Sequence, residues 1–445
     1  MNKISSRKKK ILILTNLFVF LAILSDIPLV ILFTVTRSVF LAKALLYGTE
    51  LTICLILAYL LVRPPHVRPP VYINLYIFYI LLLTVIGLLF YDNITVLRSS
   101  RKFIALVPPL VLGYYLGLFF REEREKYIRK LIMFLTVMSV IGLIEWLWWL
   151  VSPDSIIHLC FKYFDISSYY HHVRESSNLM DSGIMTSTVR PSDFLFPGVV
   201  KRLTGLYFEP FSAGFNSTLA VILILYSEIA GFMRREKRYY LLLSINILAA
   251  ILTTSRSTYL FLFVSILVYT IIQRRFFLAL VISLLVLLYL PLKSLILTSV
   301  YSLGGEAHKE TVFLFINYFL DNVFSFTGLL GSGIGSGELY ANKDVSLLLG
   351  ESGYGFIFLQ LGLCGLVSIF LLYLSVVKRI PLTRANKFFI LTFAASTFAL
   401  LFFSGYIFGY KTYGLIHLFL GFIMTQPYYN STFLKGRTQG SSIAM

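Results

Sequence analysis

Apolar runs about as long as a bilayer is thick recur from one end of this chain to the other, and basic clusters punctuate them. A membrane-crossing helix needs about 20 mostly apolar residues to cover ~30 Å of hydrocarbon. Such runs stand at 11–35, 39–62, 71–91, 102–120, 131–151, 206–232, 239–254, 257–273, 276–298, 354–377, 388–404 and 412–426. That makes twelve candidate spans, of which 239–254 and 257–273 are short. Of the 445 residues, 58% are hydrophobic and only 13% charged. A soluble domain is about half apolar and a quarter charged. Soluble enzymes, coiled coils and disordered chains are therefore excluded. The sequence predicts an all-α polytopic membrane protein, a single integral membrane domain over 1–445.

The net charge of +18 has two readings, nucleic-acid binding or membrane topology. Basic runs lie at 7–10, 63–68, 121–130, 234–238, 274–275 and 378–387, all on one side if the N-terminus is cytoplasmic. With the C-terminal tail, that side holds 24 of the 39 Lys and Arg residues. The charge is thus topological, with both termini cytoplasmic and no nucleic-acid partner. The basic start followed by a long apolar run, without a small-x-small cleavage site, reads as an anchored first helix. No GxxxxGK[ST] phosphate loop occurs and the cytoplasmic connections are short, so no nucleotide-binding domain is expected. Cys54, Cys160 and Cys364 are too scattered for a disulfide framework, and Cys54 and Cys364 read as packing residues.

Two long segments, 152–204 and 299–353, fall on the outer face as large periplasmic loops. Loops of such length are usually functional or disordered. The first is rich in Tyr, Phe, His and hydroxyl residues, which suits either a sugar-binding surface or a solvated cap; Arg174 and Arg190 are its candidate contacts to an anionic substrate. In the second, 311–324 has the pattern of an interfacial helix. After it comes GSGIGSG at 331–337, either a weak phosphate-loop signal or a flexible turn.

Ionisable groups within or bordering spans are functional suspects by default. Arg256, in LTTSRSTYLF between two short helices, can fork two hydrogen bonds to a phosphate or pyrophosphate, which Lys cannot match. The alternative is an Arg snorkelling at a helix end. Arg202 and Glu209 flank the start of the sixth span in RLTGLYFEPFSAGF; Glu209 can pair with Arg202 or Arg256, or merely pin two helices together. Glu351 stands at the membrane edge in ESGYGFIFLQLGLCG, ahead of Gly362 and Gly365, which read as packing devices. His308, between Glu306 and Glu310, is a second candidate base in a hydrated loop, and no metal site is expected. His66 and His417 read as structural, and Glu145, beside Trp146, Trp148 and Trp149, as part of an aromatic belt.

The runs RLTGLYFEP, T-x-SRS and the block before the late helix, in this order, resemble the bacterial O-antigen polymerase and O-antigen ligase superfamily. In the ligases the last block typically reads His-Asn-x-Tyr-Leu, with glycines eleven and fourteen positions after the His. Gly362 and Gly365 stand at those spacings from Glu351, which thus replaces the ligases' proposed catalytic His. That departure favours polymerase over ligase. Another pattern of some polymerases, Arg-x10-Gly in both large loops, is missed: Arg202 to Gly214 is one residue too long, and the second loop has no Arg.

The resemblance implies an enzyme of the bacterial inner membrane with its active site facing the periplasm. The donor is a polyprenyl-pyrophosphate-linked oligosaccharide and the acceptor is a hydroxyl of another lipid-linked repeat unit. Arg256 and Arg202 would stabilise the leaving pyrophosphate. Glu351, or failing that His308, would take the acceptor proton. No cofactor is implied, and a polysaccharide chain-length regulator is the expected partner. The competing readings are an O-antigen ligase and a flippase or other transporter. A carrier would be expected to show internal repeats, and no half-to-half similarity is visible.

Overall fold

The computed structural model describes residues 2–24, 26–62, 71–152, 189–191, 199–201, 203–207, 210–253, 255–275, 315–336, 353–401, 409 and 411–425. It is a bundle of α-helices with one small two-stranded ribbon. The helices are α1 (Asn2–Leu24), α2 (Asp26–Thr36), α3 (Val39–Val62), α4 (Val71–Phe90), α5 (Asn93–Ile104), α6 (Val107–Phe119) and α7 (Arg124–Val151). After the ribbon follow α8 (Pro210–Ile229), α9 (Lys237–Leu252), α10 (Arg256–Ile272), α11 (Phe326–Leu330), α12 (Gly353–Val377), α13 (Arg384–Leu401) and α14 (Gly414–Ile423). The ribbon pairs β1 (Val189–Pro191) antiparallel with β2 (Val199–Lys201).

Among the described residues, five helical stretches are long and apolar enough to cross a bilayer: Val71–Phe90, Thr95–Phe119, Arg124–Val151, Phe211–Ile229 and Gly353–Val377. A sixth arises if α1 and α2, bent by 60°, form one broken span. Pro28 explains the break, because its ring would clash with the carbonyl four residues back, at Leu24, but is tolerated in a first turn. Leu81, Val85 and Phe90 of α4, Leu147 and Trp148 of α7 and Phe370 of α12 all point outward. Apolar surface on this scale belongs in lipid. The chain is a helical membrane protein.

Against the twelve expected runs, 276–298 lies outside the described residues, and the run expected at 102–120 starts earlier, at Thr95. Asp92 caps α5, accepting a hydrogen bond from the Thr95 amide at 3.0 Å, so the helix starts before its basic residues. Cys364, expected to pack, is exposed on α12. Residues 315–322, within the expected interfacial stretch, are helical, with Phe315 buried against Tyr354 and Phe358 and Phe324 bare beyond the helix end.

The centre of the bundle is the crossing of α6 and α14. Every residue of 107–117 and of 414–423 is buried. Gly113, Gly117 and Gly421 let the two backbones touch, at Leu418, Phe422 and Leu110. Small residues are the usual device for such close approach within a membrane.

The Gly-rich run after α11 is no free turn. Gly331, Gly333 and Gly335 have φ of 82°, 97° and 102°, and Ile334 between them is fully buried. The segment plugs a break in α12 at Gly362, whose φ is 65°. The break frees backbone groups that have no water to bond. The Ser332 amide donates to the Leu359 carbonyl at 2.8 Å, the Tyr79 hydroxyl to the Leu361 carbonyl at 3.1 Å, and the Gly335 amide to Gln360 Oε1 at 3.1 Å. Irregular backbone at membrane depth persists where protein satisfies it in this way. We expect Gly362→Ala to lower the yield of folded protein sharply, since a methyl there meets the Leu329 carbonyl carbon at 2.6 Å in a backbone region that Ala resists. Gly48→Ala, with open space around it, is the matched control and should leave the size-exclusion profile unchanged.

Candidate functional site

A trail of contacts gathers the described basic runs at one end of the bundle. Lys8 pairs with Glu123 at 3.7 Å. Arg129 donates to the Phe232 carbonyl at 2.5 Å. Arg235 bonds the Tyr269 hydroxyl at 2.9 Å and forms an ion pair with Glu228 at 2.7 Å. Partial burial works against the Arg235 charge, but Tyr269 and Glu228 outweigh it and hold the guanidinium above its ordinary pKa. Arg384 Nη2 donates to the Ile272 carbonyl at 2.6 Å. The runs 7–10, 121–130, 234–238, 274–275 and 378–387 thus share one end, as the charge pattern required; 63–68 lies outside the described residues.

Two of the three motif segments meet at the opposite end. The Leu203 amide, next to Arg202, donates to the carbonyl of Leu252, the last residue of α9, at 2.9 Å. Three residues separate that carbonyl from Arg256, which opens α10. Gly214, in the first turns of α8 behind Glu209, lies against Thr253 and Thr258 on either side of Arg256; a methyl there would stand 2.9 Å from Thr253 Oγ1. So the RLTG turn, the start of α8 and the T-x-SRS turn form one cluster.

A buried polar network holds the helices beneath this cluster. Ser139 of α7 donates to Asn246 Oδ1 of α9 at 2.8 Å and lies 3.0 Å from the Ser217 hydroxyl of α8. Asn246 Nδ2 donates to Thr136 Oγ1 at 2.8 Å. With every group partnered, the network fixes α7, α8 and α9 in register.

Ser255 occupies the N-cap of α10 with the extended backbone a cap needs, φ −97° and ψ 120°, yet its side chain makes no capping bond. Its hydroxyl and that of Thr258 are buried without a partner among the described residues, as is Asn216 Oδ1. Among the described residues, then, no N-cap side chain accepts from the first amides of α10, and an uncapped helix start is a ready place for an anion. Orphaned buried hydroxyls call for a cause; Thr254, next to Ser255 in sequence, and Arg202 and Glu209 of the RLTGLYFEP run lie outside the described residues.

Glu145, read otherwise from sequence, belongs here, as does Tyr207. Glu145, assigned to an aromatic belt, receives the Thr204 hydroxyl at 3.3–3.4 Å, which brings a carboxylate from α7 to the RLTG turn. Its position within a span was the available signal, and the neighbouring tryptophans masked it. Tyr207, closing the same turn, is buried, and burial pushes its phenol well above the ordinary range, so it stays protonated and is no base. We expect Glu145→Ala, which strands the Thr204 hydroxyl, to destabilise the protein by about 1–3 kcal/mol, read as a lower unfolding midpoint. Glu145→Gln keeps an acceptor and should stay close to wild type.

The remaining expected site residues divide simply. Arg202, Glu209, Glu351, His308 and Arg174 lie outside the described residues. Arg190 is described through its backbone, opposite Val200 in the ribbon, and Arg256 as the first residue of α10. His417 is 1% exposed, with Nε2 2.8 Å from the half-buried Tyr373 hydroxyl, a pair joining α14 to α12. Compared with protein-family models, curated proteins and solved structures, the chain matches none.

Proposed function

We propose that the protein polymerises lipid-linked oligosaccharide repeat units, of O-antigen or a similar surface polysaccharide, at the outer face of a bacterial inner membrane. The observation that carries this reading is the Leu203–Leu252 backbone bond, which joins the RLTG turn to the T-x-SRS turn at the end remote from the described basic runs. By the positive-inside rule that end faces the periplasm, with twelve spans and both termini in the cytoplasm.

In this reading Arg256, at the uncapped start of α10, binds the donor pyrophosphate, and Arg202 shares its charge. Glu351 takes the proton of the acceptor hydroxyl, with His308 as second choice. The acceptor oxygen then attacks the anomeric carbon of the donor. A glycosidic C–O bond forms, the bond to pyrophosphate breaks, and polyprenyl pyrophosphate leaves as an anion that the arginines stabilise. In this reading the reaction uses neither metal nor cofactor. Glu209, Arg190 and Arg174 contact substrate, and a chain-length regulator acts with the enzyme.

One feature favours the transporter reading instead, the helix broken at Gly362 beside a buried loop, since carriers use discontinuous helices. Deleting the gene in its host and resolving the surface polysaccharide by gel separates the readings. A polymerase deletion collapses the ladder to core plus one repeat unit. Loss of every capped band means flippase or ligase, and accumulated lipid-linked polymer then marks the ligase. An unchanged ladder would refute all three.

A further inference from the structure

The early start of the fourth apolar run carries charge into the bundle. Arg101 and Lys102 lie in the last turn of α5, within the apolar stretch Thr95–Phe119. Counted along Thr95–Phe119 at a rise of ~1.5 Å per residue, Lys102 stands about 26 Å from Phe119, within the ~30 Å hydrocarbon layer, and its neighbours Ser100 and Phe103 bond Thr84 and Tyr76 of α4. Cations at that depth are functional suspects. Favouring the helix dipole explains two cations in a last turn but not their depth.

The surroundings fix these cations in place. Phe103 stacks on Phe356 of α12 with ring centres 5.3 Å apart, and Lys102 Nζ lies 4.9 Å above the same Phe356 ring. Tyr76 of α4 donates to the Phe103 carbonyl at 3.1 Å. Both cations are half-buried, so a ligand can reach them. Ser99, one turn back, is fully buried, and its hydroxyl has no partner among the described residues. Phe356 also places the pair beside the first turns of α12, in the chain segment that follows Glu351.

We propose that Arg101 and Lys102 bind the pyrophosphate of a second lipid-linked molecule, the acceptor. The assignment rests on the polymerase reading. There both substrates carry a polyprenyl pyrophosphate, and one cluster of arginines cannot hold two such anions against their mutual repulsion. The donor reacts at the carbon joined to its pyrophosphate, so that group must sit at Arg256. The acceptor reacts through a sugar hydroxyl, so its pyrophosphate lies a glycan length from the reacting carbon. A separate cationic site beside the first turns of α12 meets that need. It is held by α4 and α12, whereas the motif cluster is held by α7, α8, α9 and α10.

The test is stoichiometric. Full-length protein in phosphatidylcholine nanodiscs is titrated with labelled polyprenyl pyrophosphate, with phosphatidylglycerol and inorganic pyrophosphate as competitors. Wild type should bind two molecules, and Arg101→Gln with Lys102→Gln only one. Arg101→Lys with Lys102→Arg, which keeps both charges, should still bind two and so controls for folding. An undiminished count in the Gln double variant would overturn the proposal with the polymerase reading intact. So would displacement of the second molecule by phosphatidylglycerol. No binding by wild type would overturn both.

Discussion

Gly113→Ala should abolish stable folding, reducing monodisperse protein in detergent to a small fraction of wild type. The reason is the α6–α14 crossing. A methyl at Gly113 would fall inside contact distance of the Leu418 carbonyl oxygen and 2.8 Å from its carbon, with the Phe422 amide at 3.0 Å. All three obstacles are backbone, so no rotamer change relieves them. Overpacking a tight core costs about 1–3 kcal/mol and occasionally more, and here the upper end applies. Gly421 and Gly117 close the same crossing, so the helices cannot slide apart to accept the methyl without losing contacts on both sides. A normal profile for this variant would mean the two helices do not cross as described.

Arg256→Lys should reduce polymer formation by about 100- to 1,000-fold, the usual effect of losing one well-placed donor at a developing charge. Charge is kept in this variant, and only the planar fork is lost. The site should therefore still attract the anionic donor while failing to stabilise the leaving pyrophosphate. The signature is a fall in kcat with KM little changed, measured as product from a lipid-linked repeat unit. Near-normal turnover would remove the bidentate role and leave Arg256 as a snorkelling residue at the start of α10.

Much of the fold was legible because lipid makes one demand of every span. Runs such as 71–91 and 354–377 announce helices by length and apolarity alone, and the basic runs announce their shared end. What escaped depended on backbone and on neighbours in space. GSGIGSG reads as a flexible turn in isolation; only the break at Gly362 shows why its glycines must sit at positive φ beside α12. Apolarity alone starts the fourth run at Lys102 and leaves Arg101 ahead of it, whereas the Asp92 cap starts the helix before both.

The site was legible as three motifs and not as an assembly. Sequence order places Arg202 and Arg256 far apart, and the bond from Leu203 to Leu252 brings their segments together. Glu145 escaped because a carboxylate among tryptophans has an ordinary explanation until Thr204 is found beside it.

The central claim is polymerisation from a pyrophosphate-linked donor, and reconstitution tests it most directly. Purified protein in vesicles is supplied with a single lipid-linked repeat unit from its host, and products are resolved by size. The account predicts a ladder of lipid-linked oligomers, with one polyprenyl pyrophosphate released for each linkage formed. Protein that moves the unit across the bilayer without lengthening it, or that lengthens nothing and releases no polyprenyl pyrophosphate, would contradict it.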